Sequence, residues 1–153
     1  MNVVFNMPDY STGHTGIAMP KGGSGTMMND LTINGGATGI NFSNQQYNLK
    51  GITFIGRTTG IKVSSFFDCV FQDLSFEYNA VAIDTTAGGL GSVIILDSTA
   101  SQIGTFVNAD AESTGANSLV IENFSAGSGV GSVSGHLLRR KRFILTNNTD
   151  SNR

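Results

Sequence analysis

The tripeptide Thr-Gly-Ile occurs three times near the start of the chain, and its spacing limits the folds that the chain can adopt. The copies begin at Thr15, Thr38 and Thr59, so they are 23 and 21 residues apart. The sequence between them shows alternating apolar residues and no helical pattern. A repeat of about two dozen residues built from strands and turns is typical of a solenoid.

A second repeat marks one strand of each unit. It consists of an apolar residue, two variable positions, an apolar residue, one variable position and, in the clearest copies, a third large apolar residue. Its copies begin 21, 22, 24 and 26 residues apart, and a further apolar residue follows twelve positions after the start of each of the first four. The starts are Met28, Leu49, Phe71, Ile95 and Ile121, and the later positions are Ile40, Ile61, Ile83 and Val107.

Together the two repeats predict an all-β chain, folded as a right-handed parallel β-helix of about five to six coils. Alternating apolar positions indicate half-buried strands. Strands of neighbouring coils would stack in register about 4.8 Å apart, and parallel crossovers are overwhelmingly right-handed. A β-sandwich is the alternative, but a sandwich does not require the same inward residue at the same offset in four successive units.

The third position of the strand repeat is Asp, Asn or Gly in every copy. These residues are Asp30, Gly51, Asp73, Asp97 and Asn123. Asp and Asn side chains hydrogen-bond nearby backbone amides, and all three residue types tolerate a left-handed backbone conformation. We therefore expect this row to turn one corner of each coil. The alternative is that its carboxylates line up on one face for catalysis.

The composition suits this fold and narrows the possible partners. Glycine accounts for 20 of 153 residues and charged residues for only 13%, which fits short strands joined by tight turns. A net charge of −2 does not favour nucleic acid, and no run reaches transmembrane length, so we expect neither nucleic acid nor a membrane as partner. No signal peptide is visible, and the chain opens on strand-like sequence, which predicts a truncated solenoid.

The composition changes abruptly after residue 133. A basic run, Arg-Arg-Lys-Arg, occupies 139–142, and a polar stretch without pattern follows it. We therefore predict a β-helix over 1–133 and a separate tail over 134–153 that is disordered or an artefact of the gene model. A helix-like cap and a nuclear-localisation or nucleic-acid-binding patch are the alternatives.

Residues with catalytic or metal-binding chemistry form no motif in this chain. His14 and His136 are far apart in the sequence and Cys69 is the single cysteine, so zinc-like spacing is absent. Sugar hydrolysis normally needs two carboxyl groups on either side of the glycosidic bond, and nothing in the sequence pairs any two. We predict no metal, no cofactor and no catalytic residue.

Polar residues suited to a sugar surface are easier to find. Gln45 and Gln46 follow Asn44 and precede Tyr47 on a loop after a predicted strand, and neutral amides beside an aromatic ring suit hydroxyl-rich ligands. An external amide ladder that only satisfies the loop is the alternative. His14 ends the longest insertion between repeats, a loop that could form one wall of a groove or could simply pack against the coil.

Five segments taken together resemble a known family. Residues 2–8, 10–17, 31–36, 44–47 and 91–99 resemble the first β-helix of fungal glycoside hydrolase family 55, the exo-β-1,3-glucanases with a pectate-lyase-like fold. The similarity extends over about residues 2–133. It implies a fragment of a much larger secreted, inverting enzyme with two tandem β-helices and an active cleft between them.

The resemblance also implies specific roles and one absence. The proton-donating Glu of that family belongs to the second β-helix, so this chain lacks the expected general acid and should be inactive alone. The implied partners are β-1,3-glucan and the missing second β-helix, and the implied location of the parent enzyme is extracellular. Gln45 and Gln46 are the expected substrate-binding residues, and His14 is the third candidate.

Two other functions stay open at this stage. One is a pectin-active β-helix, a polygalacturonase or lyase, although the adjacent Asp pairs typical of those hydrolases are missing. The other is a non-catalytic β-solenoid that binds carbohydrate or has a structural role.

Overall fold

The computed structural model describes residues 2–8, 13–20, 25–43, 46–65, 68–86, 91–108, 118–134, 142–146 and 149–150. All regular secondary structure in these ranges is β-strand. No helix that could cross a bilayer is found within them. The strands are β1 (Val3–Asn6), β2 (Thr15–Met19), β3 (Thr26–Asn34), β4 (Thr38–Ser43), β5 (Gln46–Ser65), β6 (Asp68–Asp84), β7 (Ser92–Leu96), β8 (Thr99–Ser101), β9 (Ile103–Asn108), β10 (Ser118–Glu122), β11 (Ser125–Ala126), β12 (Val130–Ser134), β13 (Arg142–Thr146) and β14 (Thr149–Asp150).

The strands pair in parallel with the strands one coil earlier and one coil later. The main path through the sheet runs β1-β3-β5-β6-β7-β10-β13. Leu31 lies opposite Ile52, and Ile52 lies opposite Leu74, so the copies of the strand repeat are in register. The chain is therefore an all-β parallel solenoid, as the repeats predict.

Each coil has three faces, which we name by their order along the chain. The first face contains residues 26–29, 46–50 and 68–72 together with β7, β10 and β13. The second face contains β1, residues 31–34, 52–55 and 74–77, and β8, β11 and β14. The third face contains β2, β4, residues 59–65 and 81–84, and β9 and β12.

Two rows of left-handed residues separate these faces. The row between the first and second faces is the one expected from the sequence, with φ of 55° at Asp30, 62° at Gly51, 56° at Asp73, 51° at Asp97 and 54° at Asn123. Its predicted role as the corner of each coil is confirmed. A second row separates the second and third faces: Gly35, Gly56, Tyr78, Gln102 and Gly129, with φ between 52° and 73°.

The interior is filled by side chains that stack from coil to coil. The rings of Phe54 and Phe76 are stacked with centroids 4.9 Å apart and planes 5° from parallel. Further along the axis, Phe106 and Phe124 are stacked at 4.0 Å. The four inward positions predicted on the third face are all buried, which confirms that prediction; they are Ile40, Ile61, Ile83 and Val107.

Space, and not backbone conformation, explains the glycine of the Thr-Gly-Ile repeat. Gly16, Gly39 and Gly60 lie side by side in successive coils, and none of them has a positive φ. A Cβ on Gly39 would lie 2.8 Å from Cδ1 of Phe54, and a Cβ on Gly60 would lie 2.7 Å from Cε1 of Phe76. Each of these two glycines leaves room for the phenylalanine and for a backbone carbonyl oxygen of the next coil.

Strands continue beyond residue 133. In β13, Phe143 lies opposite Leu119 and Leu145 lies opposite Ile121, and in β14 Thr149 lies opposite Ser125. The described parts of 134–153 thus pair in register with the coil before them, whereas the sequence predicts a separate tail here. The boundary after residue 133 stays a prediction.

Candidate functional site

A groove lies on the outer surface of the first face. It has a volume of about 300 Å³ and crosses three successive coils, formed by β3, β5 and β6. We call it the first-face groove. Its lining residues are Gly25, Thr26, Met27, Gln46, Tyr47, Asn48, Asp68 and Val70.

Strand alternation decides which side chains reach this groove. Tyr47 and Cys69 point inward and are buried, so their neighbours along each strand point outward. Gln46 lies opposite Asp68 in the next coil. Asn48 lies between Met27 of the coil before and Val70 of the coil after. Two outward columns, one polar and one mainly apolar, therefore run side by side.

The chemistry of these columns suits an uncharged polar ligand. The amides of Gln46 and Asn48 can both donate and accept hydrogen bonds, and the Asp68 carboxylate can accept them. Met27, which is 64% exposed, and Val70 supply apolar surface beside them. No Lys, Arg or His is among the described residues that line the groove.

The floor of the groove is held by packing and is chemically inert. The Tyr47 hydroxyl donates a hydrogen bond to the Ser43 carbonyl oxygen at 3.3 Å, and its ring packs against Phe42 with centroids 4.0 Å apart. Burial raises the pKa of the Cys69 thiol to about 12. Because the thiolate is the nucleophilic form, Cys69 is unsuited to covalent catalysis at neutral pH.

The structure describes two of the three residues expected to bind substrate, and only one of these two lines the groove. Gln46 lines the first-face groove, and Gln45 lies outside the described residues. His14 is exposed at the start of β2, and its carbonyl oxygen accepts hydrogen bonds from the amides of Ala37 and Thr38 at 3.0 and 3.2 Å. His14 therefore lies beside Ala37 and Thr38, which follow the second row of left-handed residues, and it is not among the residues that line the first-face groove. Substrate binding by all three stays a prediction.

Sequence reasoning missed the groove residues other than Gln46 and Tyr47. Asn48 shares the outward face of Gln46 because it lies two residues further along the same strand, and strand alternation could have found it. Asp68 becomes a neighbour of Gln46 only through the register between coils, and the repeat length could have found it, because Asp68 follows Gln46 by 22 residues, the same offset that separates Leu49 from Phe71.

The Asp97 carboxylate, in the first corner row, is held by hydrogen bonds from the coils on either side. Asp97 accepts hydrogen bonds from the side-chain amides of Asn123 at 3.0 Å and Gln72 at 3.2 Å, and these bonds lower the pKa of its carboxyl group. Gly51 interrupts the row between Asp30 and Asp73. Within the described ranges, no group of three or more His, Cys, Asp or Glu is placed to hold a metal ion.

The comparison with known families agrees with this architecture. Residues 1–84 match the family described as rhamnogalacturonase A/epimerase, pectate lyase-like, and this match covers more than half of the chain. The chain belongs to this pectate lyase-like family. The matched residues contain the strands from β1 to β6.

Curated relatives of this pectate lyase-like chain are fungal proteins. It is 35% identical over 116 residues to a probable glucan endo-1,3-beta-glucosidase of Arthroderma benhamiae, covering 71% of this chain and 13% of the relative. It is 31% identical over 133 residues to a glucan 1,3-beta-glucosidase of Cochliobolus carbonum, covering 80% and 17%. A non-secreted LysM effector, LysM15, of Penicillium expansum is 34% identical over 106 residues, covering 63% and 7%.

These values define a distant and partial relationship. The chain spans less than a fifth of the length of each of these relatives. No solved structure gave a significant match. The pectate lyase-like β-helix is thus homologous, at a distance, to part of fungal glucan 1,3-β-glucosidases.

Proposed function

We propose that this solenoid binds a neutral β-1,3-glucan in the first-face groove, as one part of a secreted glycoside hydrolase of family 55. The observation that carries the proposal is the position of Gln46 beside Asn48 and Asp68 in a groove that crosses three coils. Two relatives named as glucan glucosidases support the choice of glucan.

The groove offers both kinds of contact that a sugar requires. The amides and the carboxylate can exchange hydrogen bonds with hydroxyl groups. Met27 and Val70 can contact the C–H surfaces of a pyranose ring, whose burial is favourable at about 25 cal/mol per Å². Polar and apolar columns side by side match the two-sided chemistry of a glucose unit.

A pectin-type ligand is the second candidate, because the matching family is described by rhamnogalacturonase A. The charge of the groove argues against it. The Asp68 carboxylate would repel the carboxylates of a uronic-acid polymer, and no basic side chain among the described lining residues would attract them. A neutral glucan meets no such repulsion.

Binding without hydrolysis is the activity that we propose for the chain alone. Inverting hydrolysis needs a general acid and a general base about 6.5–9.5 Å apart. In the family that the chain resembles, the general acid lies in a second β-helix. Among the described residues that line the first-face groove, Asp68 is the single carboxylate, so the groove supplies no carboxyl pair. The role proposed for Gln46, and for Gln45 beside it, is to hold the glucan and the attacking water.

Calorimetric titration with laminarin oligosaccharides and with oligogalacturonates tests the proposal. We expect the wild-type chain to bind the neutral ligand preferentially and to release no glucose. Gln46→Ala should weaken binding about 2- to 12-fold, since a hydrogen bond contributes about 0.5–1.5 kcal/mol.

Thr99→Ala, on the exposed second face, is the matched control and should leave affinity unchanged. Tighter binding of oligogalacturonate than of laminarin would contradict the neutral-glucan proposal, and glucose release by the purified chain would contradict the proposed lack of turnover.

A further inference from the structure

An interior column of the solenoid contains two polar side chains where the neighbouring coils have small or apolar ones. Arg57 lies opposite Asn79 in the next coil, directly after the second corner row. The register places Gly36 before them and Ile103 after them. Both polar residues are only 2% exposed. Two polar groups thus stack inside a wall of aliphatic and aromatic side chains.

Most of the hydrogen-bonding capacity of this pair is unused. Arg57 Nη2 donates to the Ile55 carbonyl oxygen at 3.0 Å. Its Nε and Nη1 atoms, and both Nδ2 and Oδ1 of Asn79, have no partner among the described residues. A buried polar atom without a partner costs about 1–3 kcal/mol, and more where it carries charge. Four such atoms in adjacent coils require an explanation.

The charge of Arg57 is the larger problem. Burial lowers its pKa to about 10, so the guanidinium is still protonated at neutral pH. Its guanidinium carbon lies 5.6 Å from the centroid of the Phe54 ring, a contact that contributes about 0.5–2 kcal/mol. Burial alone accounts for the pKa change, and no described carboxylate forms an ion pair with the group. A buried ion without a counter-ion is strongly destabilising.

Gly39 leaves room for the guanidinium. The Nη1 atom lies 2.7 Å from the place where a Cβ on Gly39 would be. The head group therefore lies against the bare backbone of Gly39.

We propose that Arg57 and Asn79 form an interior site for a small monovalent anion such as chloride. The anion accepts hydrogen bonds from an Arg57 N–H and from the Asn79 amide, and it neutralises the guanidinium charge. Water satisfies the remaining atoms, including Oδ1 of Asn79. Larger or multiply charged anions are disfavoured because the surrounding residues, such as Phe54 and Ile103, are buried and apolar.

Thermal unfolding in matched salts tests this site. Wild-type chain is melted in sodium chloride and in sodium gluconate at equal ionic strength, from low millimolar to several hundred millimolar. Because a ligand that binds only the folded state stabilises it in proportion to the logarithm of its concentration, the melting temperature should rise with chloride beyond the rise in gluconate. Equal curves in the two salts would overturn the proposal.

Variants separate a specific site from a general salt effect. Arg57→Met removes the charge while keeping an unbranched apolar chain, and it should abolish the difference between chloride and gluconate. Lys50→Met removes an exposed cation of the first face and should retain the full difference. A chloride dependence that survives in Arg57→Met, or that disappears in Lys50→Met, would assign the effect to another charge.

Crystals grown in sodium bromide provide a measurement that does not depend on the folding of a variant. An anomalous bromide peak within hydrogen-bond distance of Arg57 and Asn79 is the expected result. Density at this place that refines as water alone, without an anomalous signal, would refute the anion site.

Discussion

Replacing Gly60 with alanine tests whether the phenylalanine stack imposes the Thr-Gly-Ile repeat. A Cβ at this position would lie 2.6 Å from the Ala82 carbonyl oxygen and 2.7 Å from Cε1 of Phe76, which is closer than ordinary van der Waals contact. Forcing an extra carbon into a packed interior costs about 1–3 kcal/mol. Since each kcal/mol lowers the Tm of a domain of this size by about 2–4 °C, we expect Gly60→Ala to lower Tm by about 2–12 °C.

The double variant with Phe76→Ala examines the cause more closely. Removing the buried ring alone should cost about 3–5 kcal/mol. In Gly60→Ala/Phe76→Ala the contact between the new methyl group and the ring is gone, while its approach to the Ala82 carbonyl oxygen at 2.6 Å remains, so the two losses should couple by part of the Gly60→Ala cost, about 0.5–3 kcal/mol. The next coil already carries this combination, because Ala82 follows Gly60 in its column and Ala100 follows Phe76.

Thermal unfolding followed by circular dichroism gives the four stabilities of this cycle. Gly56→Ala is the matched control: its φ is 62° and nothing lies within 4 Å of the added Cβ, so its cost of about 1–2 kcal/mol is purely conformational. Gly56→Ala and Phe76→Ala should therefore add. If Gly60→Ala and Phe76→Ala add equally well, steric exclusion by the ring is not the reason for the glycine.

Three further predictions concern the corners and the groove floor. Tyr78→Gly should raise Tm slightly, because Tyr78 has a φ of 55° and is 63% exposed and left-handed strain of about 1 kcal/mol is removed; a fall in Tm would show that its ring stabilises the fold. Hydrogen bonds from Asn123 and Gln72 lower the pKa of Asp97 in the folded state. The stabilisation that these bonds provide is therefore present above the ordinary Asp pKa of 3.8 and is lost as the pH falls through the lowered pKa. Thermal unfolding at acid pH should show a shallower pH dependence of Tm for Asp97→Asn than for wild type. Cys69, with a pKa of about 12, should react with iodoacetamide only after denaturation, and rapid labelling of the native chain would contradict its burial.

The architecture was largely predictable because each coil repeats the same signals. The apolar positions around Leu49 and Phe71 recur in register, and an Asp or Gly follows at a fixed offset, so one strand and one corner of every coil can be placed from the sequence. Because the coils stack, equivalent residues of successive coils occupy equivalent environments. The same residue types therefore recur at the same positions, and this recurrence makes the repeat easy to detect in the sequence.

The second corner row and the last strands were harder to predict, for different reasons. Tyr78 and Gln102 adopt left-handed conformations without being residues that favour them, because the corner glycines of earlier coils set the path of the chain. In β13, Phe143 and Leu145 continue the strand repeat 24 residues after Leu119 and Ile121, but the adjacent basic run dominates the local composition.

The candidate site shows the same limit. Gln46 could be selected because its residue type and its resemblance to a known family both point to sugar. Asp68 could not, because its proximity to Gln46 depends on register between coils, which local residue types do not encode. Asn48 shares the outward face of Gln46 through strand alternation, but its residue type alone does not indicate a ligand site. Arg57 is an analogous case in the interior, since no sequence pattern predicts a charged residue on an inward position.

The two left-handed corners have a consequence for how such a chain can diversify. They are five residues apart in four successive coils, from Asp30 to Gly35 and onward to Gln102, and six apart in the next, from Asn123 to Gly129, so this spacing varies by a single residue. Connections between the third and first faces, in contrast, range from two to nine residues. Length changes are therefore accommodated along one edge of the cylinder, the edge that borders the first-face groove, and new ligand preferences can arise there without disturbing the stacked interior.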